Sequence, residues 1–228
     1  MHGTRDEILE NLATIRARIE RAAERAGRAP SEVLIVAAAK TVPAEAVLWV
    51  VNDGVTAIGH NYVKELRDMH DGVPGVRWHF IGTLQTNTAH HVAALADTVE
   101  TVAGEHATER LARRAAAAGR VVDVLIEVDF TGQRTGVSPE TVAPFADRVA
   151  AMEGLRLTGL MTLPPLPADV EEARGWFGQL RALRDRVRET HAGVVELSMG
   201  MSLDYGVAVE EGATMVRIGT ALFGPRTA

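Results

Sequence analysis

Val33-Leu34-Ile35-Val36-Ala37-Ala38-Ala39 is an unbroken apolar run, and it ends on Lys40. A run of that length without polar alternation reads as a strand buried on both faces, as in a parallel sheet covered by helices. The pattern recurs at residues 55–59, 77–81, 98–102, 121–128, 155–161, 194–198 and 214–218. Helical stretches separate these segments at 43–52, 61–69, 85–96, 105–118, 138–152, 170–190 and 203–211. Eight strand–helix units in 228 residues match the size of a closed (β/α)8 TIM barrel, an α/β fold. A doubly wound open sheet is the alternative. Upstream, Thr4 and Glu7 have capping-box spacing, and Ile8, Leu9, Leu12, Ile15, Ile19 and Ala22 share one face up to Gly27, so an extra N-terminal helix precedes the barrel. No long linker rich in Gly, Pro or Ser divides the chain, and Pro164-Pro165-Leu166-Pro167 reads as a loop after the sixth strand. A single domain over residues 1–228 is expected.

Composition removes several function classes. With 46% hydrophobic residues the chain can bury a core without staples. It has no cysteine, which excludes disulfides, thiolate nucleophiles, iron–sulfur clusters and cysteine-rich zinc sites. The polar start Met1-His2-Gly3-Thr4-Arg5-Asp6-Glu7 has no apolar signal core, and no apolar run nears spanning length, so a soluble cytoplasmic protein without membrane partners is expected. A net charge of -6 disfavours a nucleic-acid partner and leaves a small molecule as the expected ligand. His90 and His91 with His79 could hint at a metal, but neighbouring helical residues point about 100° apart and no acidic or cysteine partner completes a shell. No metal is expected. The Arg/Glu-rich stretches 16–28 and 181–189 have the spacing of solvated helix faces.

Lys40 is one of only two lysines, with Lys64, among 24 basic residues. Arginine cannot lose its proton in a protein, whereas a lysine at an apolar rim can act as a nucleophilic amine. A Schiff base is therefore the first chemistry to consider, against the alternative of a strand-end lysine snorkelling into water. In a TIM barrel the site gathers where strands end, and phosphate commonly binds after strands 7 and 8. Those ends are Ser198-Met199-Gly200-Met201-Ser202 and Arg217-Ile218-Gly219-Thr220, where glycine backbone and the Ser202 and Thr220 hydroxyls offer donors. The competing reading of Gly219-Thr220 is a simple turn. An amine on strand 1 opposite a phosphate cup describes pyridoxal phosphate, whose aldehyde and phosphate lie across one ring. Arg217, inside the apolar run Met215-Val216-Arg217-Ile218, could donate to the pyridine nitrogen; the alternative is an ion pair with Glu196 or Glu127.

Longer motifs carry a resemblance. Ala38-Ala39-Lys40-Thr41, Gly59-His60-Asn61-Tyr62-Val63-Lys64-Glu65, residues 78–87 (WHFIGTLQTN), Gly159-Leu160-Met161-Thr162, residues 197–202 (LSMGMS) and residues 216–224 (VRIGTALFG) resemble the pyridoxal phosphate homeostasis protein family, single-domain relatives of alanine racemase. The resemblance implies a barrel of the alanine racemase N-terminal type, with Lys40 carrying the cofactor and Arg217 at the pyridine nitrogen. It also implies Gly219, Thr220, Ser198 and Ser202 around the phosphate, with Asn61 and His79 lining the site, and Met199 is counted among the cofactor-binding residues. Residues 128–136 (VDFTGQRTG) look like the racemase loop that carries an arginine facing the cofactor, which nominates Arg134; the alternative is an exposed charge in a turn. The chain departs from the family where His60 replaces glutamate and where Val42, Thr88 and Arg134 replace lysines, so accessory amines for secondary cofactor capture are missing. Racemisation needs proton donors and acceptors on both faces of the substrate carbon. The only tyrosines are Tyr62 and Tyr205, and no second domain is expected after strand 8, so the expected function is a monomeric cofactor carrier or buffer that hands pyridoxal 5'-phosphate to apo-enzymes. A weak amino-acid racemase is the alternative; aldolase-type imine chemistry on a phosphosugar is a third.

Overall fold

The structure is a computed structural model and describes residues 2–165 and 169–225. The expected loop at 164–167 lies partly outside the described residues. In chain order come α1 (Arg5–Arg25), β1 (Leu34–Ala38), α2 (Ala44–Asn52), β2 (Ala57–His60), α3 (Val63–His70), β3 (Arg77–Phe80), α4 (Ala89–Leu95), β4 (Thr98–Val102) and α5 (Glu105–Ala117). Then follow β5 (Val122–Val128), α6 (Val142–Ala150), β6 (Leu155–Thr162), α7 (Ala173–Arg188), β7 (Glu196–Ser198), α8 (Tyr205–Glu210), β8 (Met215–Ile218) and α9 (Thr220–Phe223). The strands pair in sequence order, all parallel, and β8 closes onto β1 with Ile35 beside Val216. The fold is thus the (β/α)8 barrel, not the open sheet.

The departures from the expected boundaries have local causes. The helix expected from residue 61 starts at Val63 because Asn61 and Tyr62 form the connection out of β2. The one expected from 85 starts at Ala89, after a turn in which Thr88 N–H donates to Gln85 O at 3.1 Å. Pro139 opens a 3-10 turn ahead of α6, consistent with proline's tolerance at a helix start. The four-residue α9 is too short to leave a periodic signature.

Inward and outward positions alternate along each strand. Outward side chains join the helices in the main core, whereas Val36, Ala57, Leu125, Met161 and Met215 form a separate apolar cluster within the barrel. Around that cluster the interior is polar. At the strands' N-terminal mouth, Asp123 accepts from Arg156 Nε at 2.6 Å and from Arg77 Nη2 at 2.7 Å.

α1 begins with the expected capping box, Glu7 accepting from Thr4 N–H at 2.7 Å. It buries Ile8, Leu12, Ile15 and Ile19 and packs on α2, α8 and α9. Two hydrogen bonds tie it to the last turn: Gly3 N–H to Phe223 O at 3.0 Å and Asn11 Nδ2 to Leu222 O at 3.1 Å. The helix is therefore a strap across the seam where the barrel closes. No helix among the described residues is long and apolar enough to cross a membrane.

Candidate functional site

At the C-terminal mouth of the barrel a cavity of about 270 Å³ is lined by Ala38, Asn61, Ile81, Leu163, Met201, Ser202, Leu203, Asp204, Arg217, Gly219 and Thr220. Of the residues singled out in the sequence, Asn61, Ser202, Arg217, Gly219 and Thr220 meet here. A surface groove of about 430 Å³ beside α1 is larger, but it contains none of these strand-end groups. Its Arg16 is already bound to Asp53.

Lys40 lies two residues beyond Ala38 in the inward-facing series of β1. It is not among the cavity-lining residues: its Nζ stands 5.0 Å from the centroid of the Tyr62 ring, a cation–π contact. Thr41, directly after it, has φ 61°, a left-handed conformation costly for a β-branched residue. Its carbonyl accepts from His2 Nε2 at 2.9 Å. The lysine is thus the last residue before a constrained turn.

Asn61 is held by a tight crossing of two loops. Its Nδ2 donates to Ile81 O at 3.4 Å, and a Cβ on Gly82 would lie 1.9 Å from Asn61 O. Only glycine allows that approach. Across the cavity, Ser202 Oγ accepts from Ala221 N–H at 3.1 Å, which links the loops after β7 and β8.

Arg217 forms the floor and is 5% exposed. Its Nη2 donates to Thr162 O at 2.9 Å, and its Nη1 donates to Ser198 Oγ at 2.5 Å. Ser198 in turn donates to Glu100 Oε2 at 2.5 Å, while Glu100 Oε1 lies 2.6 Å from His79 Nδ1. The carboxylate facing Arg217 most directly is Glu100, at 3.8 Å, rather than Glu196, which is bonded to Thr214. Burial alone would raise the Glu100 carboxyl, but the His79 hydrogen bond, the charges of His79 and Arg217 and the Ser198 hydroxyl hold it below the ordinary range. Burial also acts against the Arg217 charge and is opposed by Glu100, Glu127 and Asp204; the guanidinium stays protonated. Glu127 is pushed up to about 7 by burial, which Arg217 partly opposes.

Several nominated residues sit elsewhere. His79 and Ser198 are buried below the cavity in this polar chain, and Met199 packs in the sheet–helix core. Arg134 is exposed, with its backbone N–H donating to Asp129 Oδ2 at 2.8 Å. Val42 is buried, and Thr88 is half-buried before α4. Sequence reasoning missed Glu100, Ile81, Leu163, Met201, Leu203 and Asp204. A signal for Glu100 was present, because an acid at the centre of a short β-branched strand (TVETV), in the same alternating series as Thr98 and Val102, must be buried with a partner.

His60 faces away from the cavity, buried between the sheet and α3 and stacked on Trp78 with ring centroids 5.8 Å apart. Neither ring nitrogen has a hydrogen-bond partner among the described residues, and Glu65 Oε2 is 3.6 Å from Nδ1. Burial holds His60 below its usual value of 6.5, with Glu65 opposing. A depressed histidine stabilises the fold above its unfolded value, and that contribution is lost as pH falls from there through the folded value. Denaturant unfolding followed across acidic pH should therefore show His60→Gln losing less stability on acidification than the parent; parallel curves would refute this.

Comparison with known proteins places the chain. Residues 11–227 match the family model described as alanine racemase, N-terminal domain. The Aquifex aeolicus pyridoxal phosphate homeostasis protein is 38% identical over 222 residues, covering 95% of this chain and 97% of that one. The protein of the same name from Escherichia coli K12 is 34% identical, with 97% of each covered. PipY of Synechococcus elongatus, whose structure was solved with PLP bound, superposes with a TM-score of 0.85 at 30% identity over 95% of this chain and 100% of its own.

Proposed function

This chain belongs to the pyridoxal phosphate homeostasis protein family, built on the alanine racemase N-terminal barrel, and from that premise we propose that it binds pyridoxal 5'-phosphate as a Schiff base on Lys40 and acts as a cofactor carrier or buffer. The observation that carries this reading is the grouping at one barrel mouth of a strand-1 lysine, a buried arginine and the Ser202–Thr220 rim. The donor set fits the group. Arg217 is a permanent donor on the cavity floor, suited to an aromatic nitrogen, and Ser202, Thr220 and the Gly219 backbone suit a phosphate. A cavity of about 270 Å³ is close to the lower end of the ~300–1,000 Å³ typical of small-molecule sites.

When bound, the cofactor supplies an aldehyde that a primary amine captures as an imine, releasing water. Lys40 supplies the amine once it leaves the Tyr62 face. Arg217 keeps its proton, so an acceptor nitrogen facing it stays unprotonated and the electron-sink power used in amino-acid chemistry stays low. Asn61 and Ser202 orient, and Ile81, Leu163 and Met201 supply apolar lining. Neither tyrosine is set opposite the lysine. Tyr62 is 52% exposed on the lysine's own side, and Tyr205 is buried beneath α1 against Arg18. This supports a carrier, acting as a cytoplasmic monomer of one domain and delivering to apo-enzymes. The racemase alternative draws on Glu127, a carboxyl near 7 close to Arg217 that could exchange protons. Turnover abolished by Lys40→Ala would favour it.

The test is borohydride reduction after incubation with pyridoxal phosphate, with peptide mapping by mass spectrometry. We expect one phosphopyridoxyl group on Lys40 and none in Lys40→Ala. Lys64, 80% exposed and bound to Asp68, is the internal control. No adduct, or an adduct confined to Lys64, would overturn the reading.

A further inference from the structure

The polar chain under the cavity does not stop at Glu100. His79 Nδ1 meets that carboxylate, but His79 Nε2 has no hydrogen-bond partner among the described residues, although the side chain is only 1% exposed. His79 also lines a second cavity, of about 280 Å³, which opens at the opposite, N-terminal mouth of the barrel. That cavity is polar and large enough for ordered water, bounded by Thr98, Thr158 and Thr214 among others. One side chain therefore borders the N-terminal cavity and is linked through Glu100 and Ser198 to Arg217 on the floor of the candidate site.

We propose that His79 is a positioning residue that exchanges a proton with water in the N-terminal cavity through Nε2 and passes the charge change through Glu100 and Ser198 to Arg217. The step balances simply. Water or a buffer acid gives a proton to Nε2; Nδ1–H stays on the ring and continues to donate to Glu100. The imidazolium then neutralises part of the Glu100 charge that otherwise offsets Arg217, so the guanidinium presents a stronger positive field to the cavity. A polyanionic ligand above Arg217 binds more tightly while His79 is protonated and less tightly once the proton leaves.

The other groups facing His79 do not replace it. Glu100 of β4 is its only close charged partner among the described residues. Toward the N-terminal cavity stand Arg77, Asp123, Glu196 and Glu32. Asp123 is neutralised by Arg77 and Arg156, Glu196 is bonded to Thr214, and Glu32 pairs with Arg28 at 3.2 Å. Arg217 itself faces Glu127 and Asp204 besides Glu100. Both remain in a His79 variant and cancel in the comparison with the parent.

The inference rests on the cofactor reading only for its affinity readout, so two measurements separate the failures. In the unliganded protein, nitrogen-15 NMR of the histidine rings from about pH 5 to about pH 9, with His79 assigned from His79→Gln, should show Nε2 gaining and losing a proton while Nδ1 stays protonated. A ring whose Nε2 never titrates, or whose Nδ1 loses its proton instead, overturns the proposal whatever binds above. Pyridoxal phosphate affinity across the same range should weaken with rising pH by about five-fold more in the parent than in His79→Gln. Parallel curves overturn it. Glu100→Gln removes the charge that links the ring to Arg217 and keeps the side-chain shape, so it should lose the pH-dependent component while the His79 ring still titrates; this serves if His79→Gln does not fold. Failure of the parent to bind pyridoxal phosphate at any pH would remove the carrier reading and leave the ring titration to decide on the proton path.

Discussion

Glu100→Ala is expected to destabilise the protein by about 3–5 kcal/mol, the range for removing one partner of a buried ion pair. Glu100 is fully buried, holds hydrogen bonds to His79 and Ser198, and is the nearest carboxylate to Arg217. Its loss leaves a buried guanidinium with Glu127, which burial pushes up to about 7, and with Asp204, which already accepts from Met201 N–H. Glu127 should respond by ionising more readily. Urea unfolding at neutral pH would show this as a lower midpoint at unchanged slope. A shift of less than about 1 kcal/mol would mean that water enters and replaces the carboxylate. Glu100→Gln, which keeps the shape, should fall between the two.

Gly82→Ala carries the second large effect. The new methyl would lie 1.9 Å from Asn61 O and 2.7 Å from Asn61 C, both backbone atoms. Neither loop can yield cheaply, because Ile81 N–H donates to His60 O at 2.9 Å and Thr101 Oγ1 donates to Gly82 O at 2.5 Å. A cost of about 3 kcal/mol follows for overpacking of this kind, or a melting point lower by about 6–12 °C for a chain of this size. The displaced Asn61 should also reduce the Lys40 adduct yield in folded protein. A variant that melts with the parent would show that the two loops are not locked together.

The sequence carried the barrel because each strand is a local signal. Leu34–Ala38 is a short apolar run and Thr98–Val102 a short stretch rich in β-branched residues, each between helical patterns, and parallel pairing in chain order follows from that alternation. Lys40, Asn61, Ser202, Arg217, Gly219 and Thr220 could be placed at one mouth because they stand where strands end. Depth within the barrel was less legible. His79 and Ser198 have the right parity to face inward, but their height depends on the stagger of neighbouring strands, which no single strand encodes. Met199 follows an inward Ser198, so parity alone assigns it to the helix side. Glu100 escaped notice because its partners come from β3, β7 and β8, distant in sequence and adjacent only after closure.

The strap made by α1 has a kinetic consequence. Asn11 and Leu222, which it joins, are 211 residues apart in the chain. At ~5–20 residues per second, ribosomal synthesis separates the two by roughly 10–40 s. Through that interval the apolar face of Ile8, Leu12, Ile15 and Ile19 has neither α8 nor α9 to cover it, and the newborn polypeptide must be shielded from its neighbours until the final turn emerges.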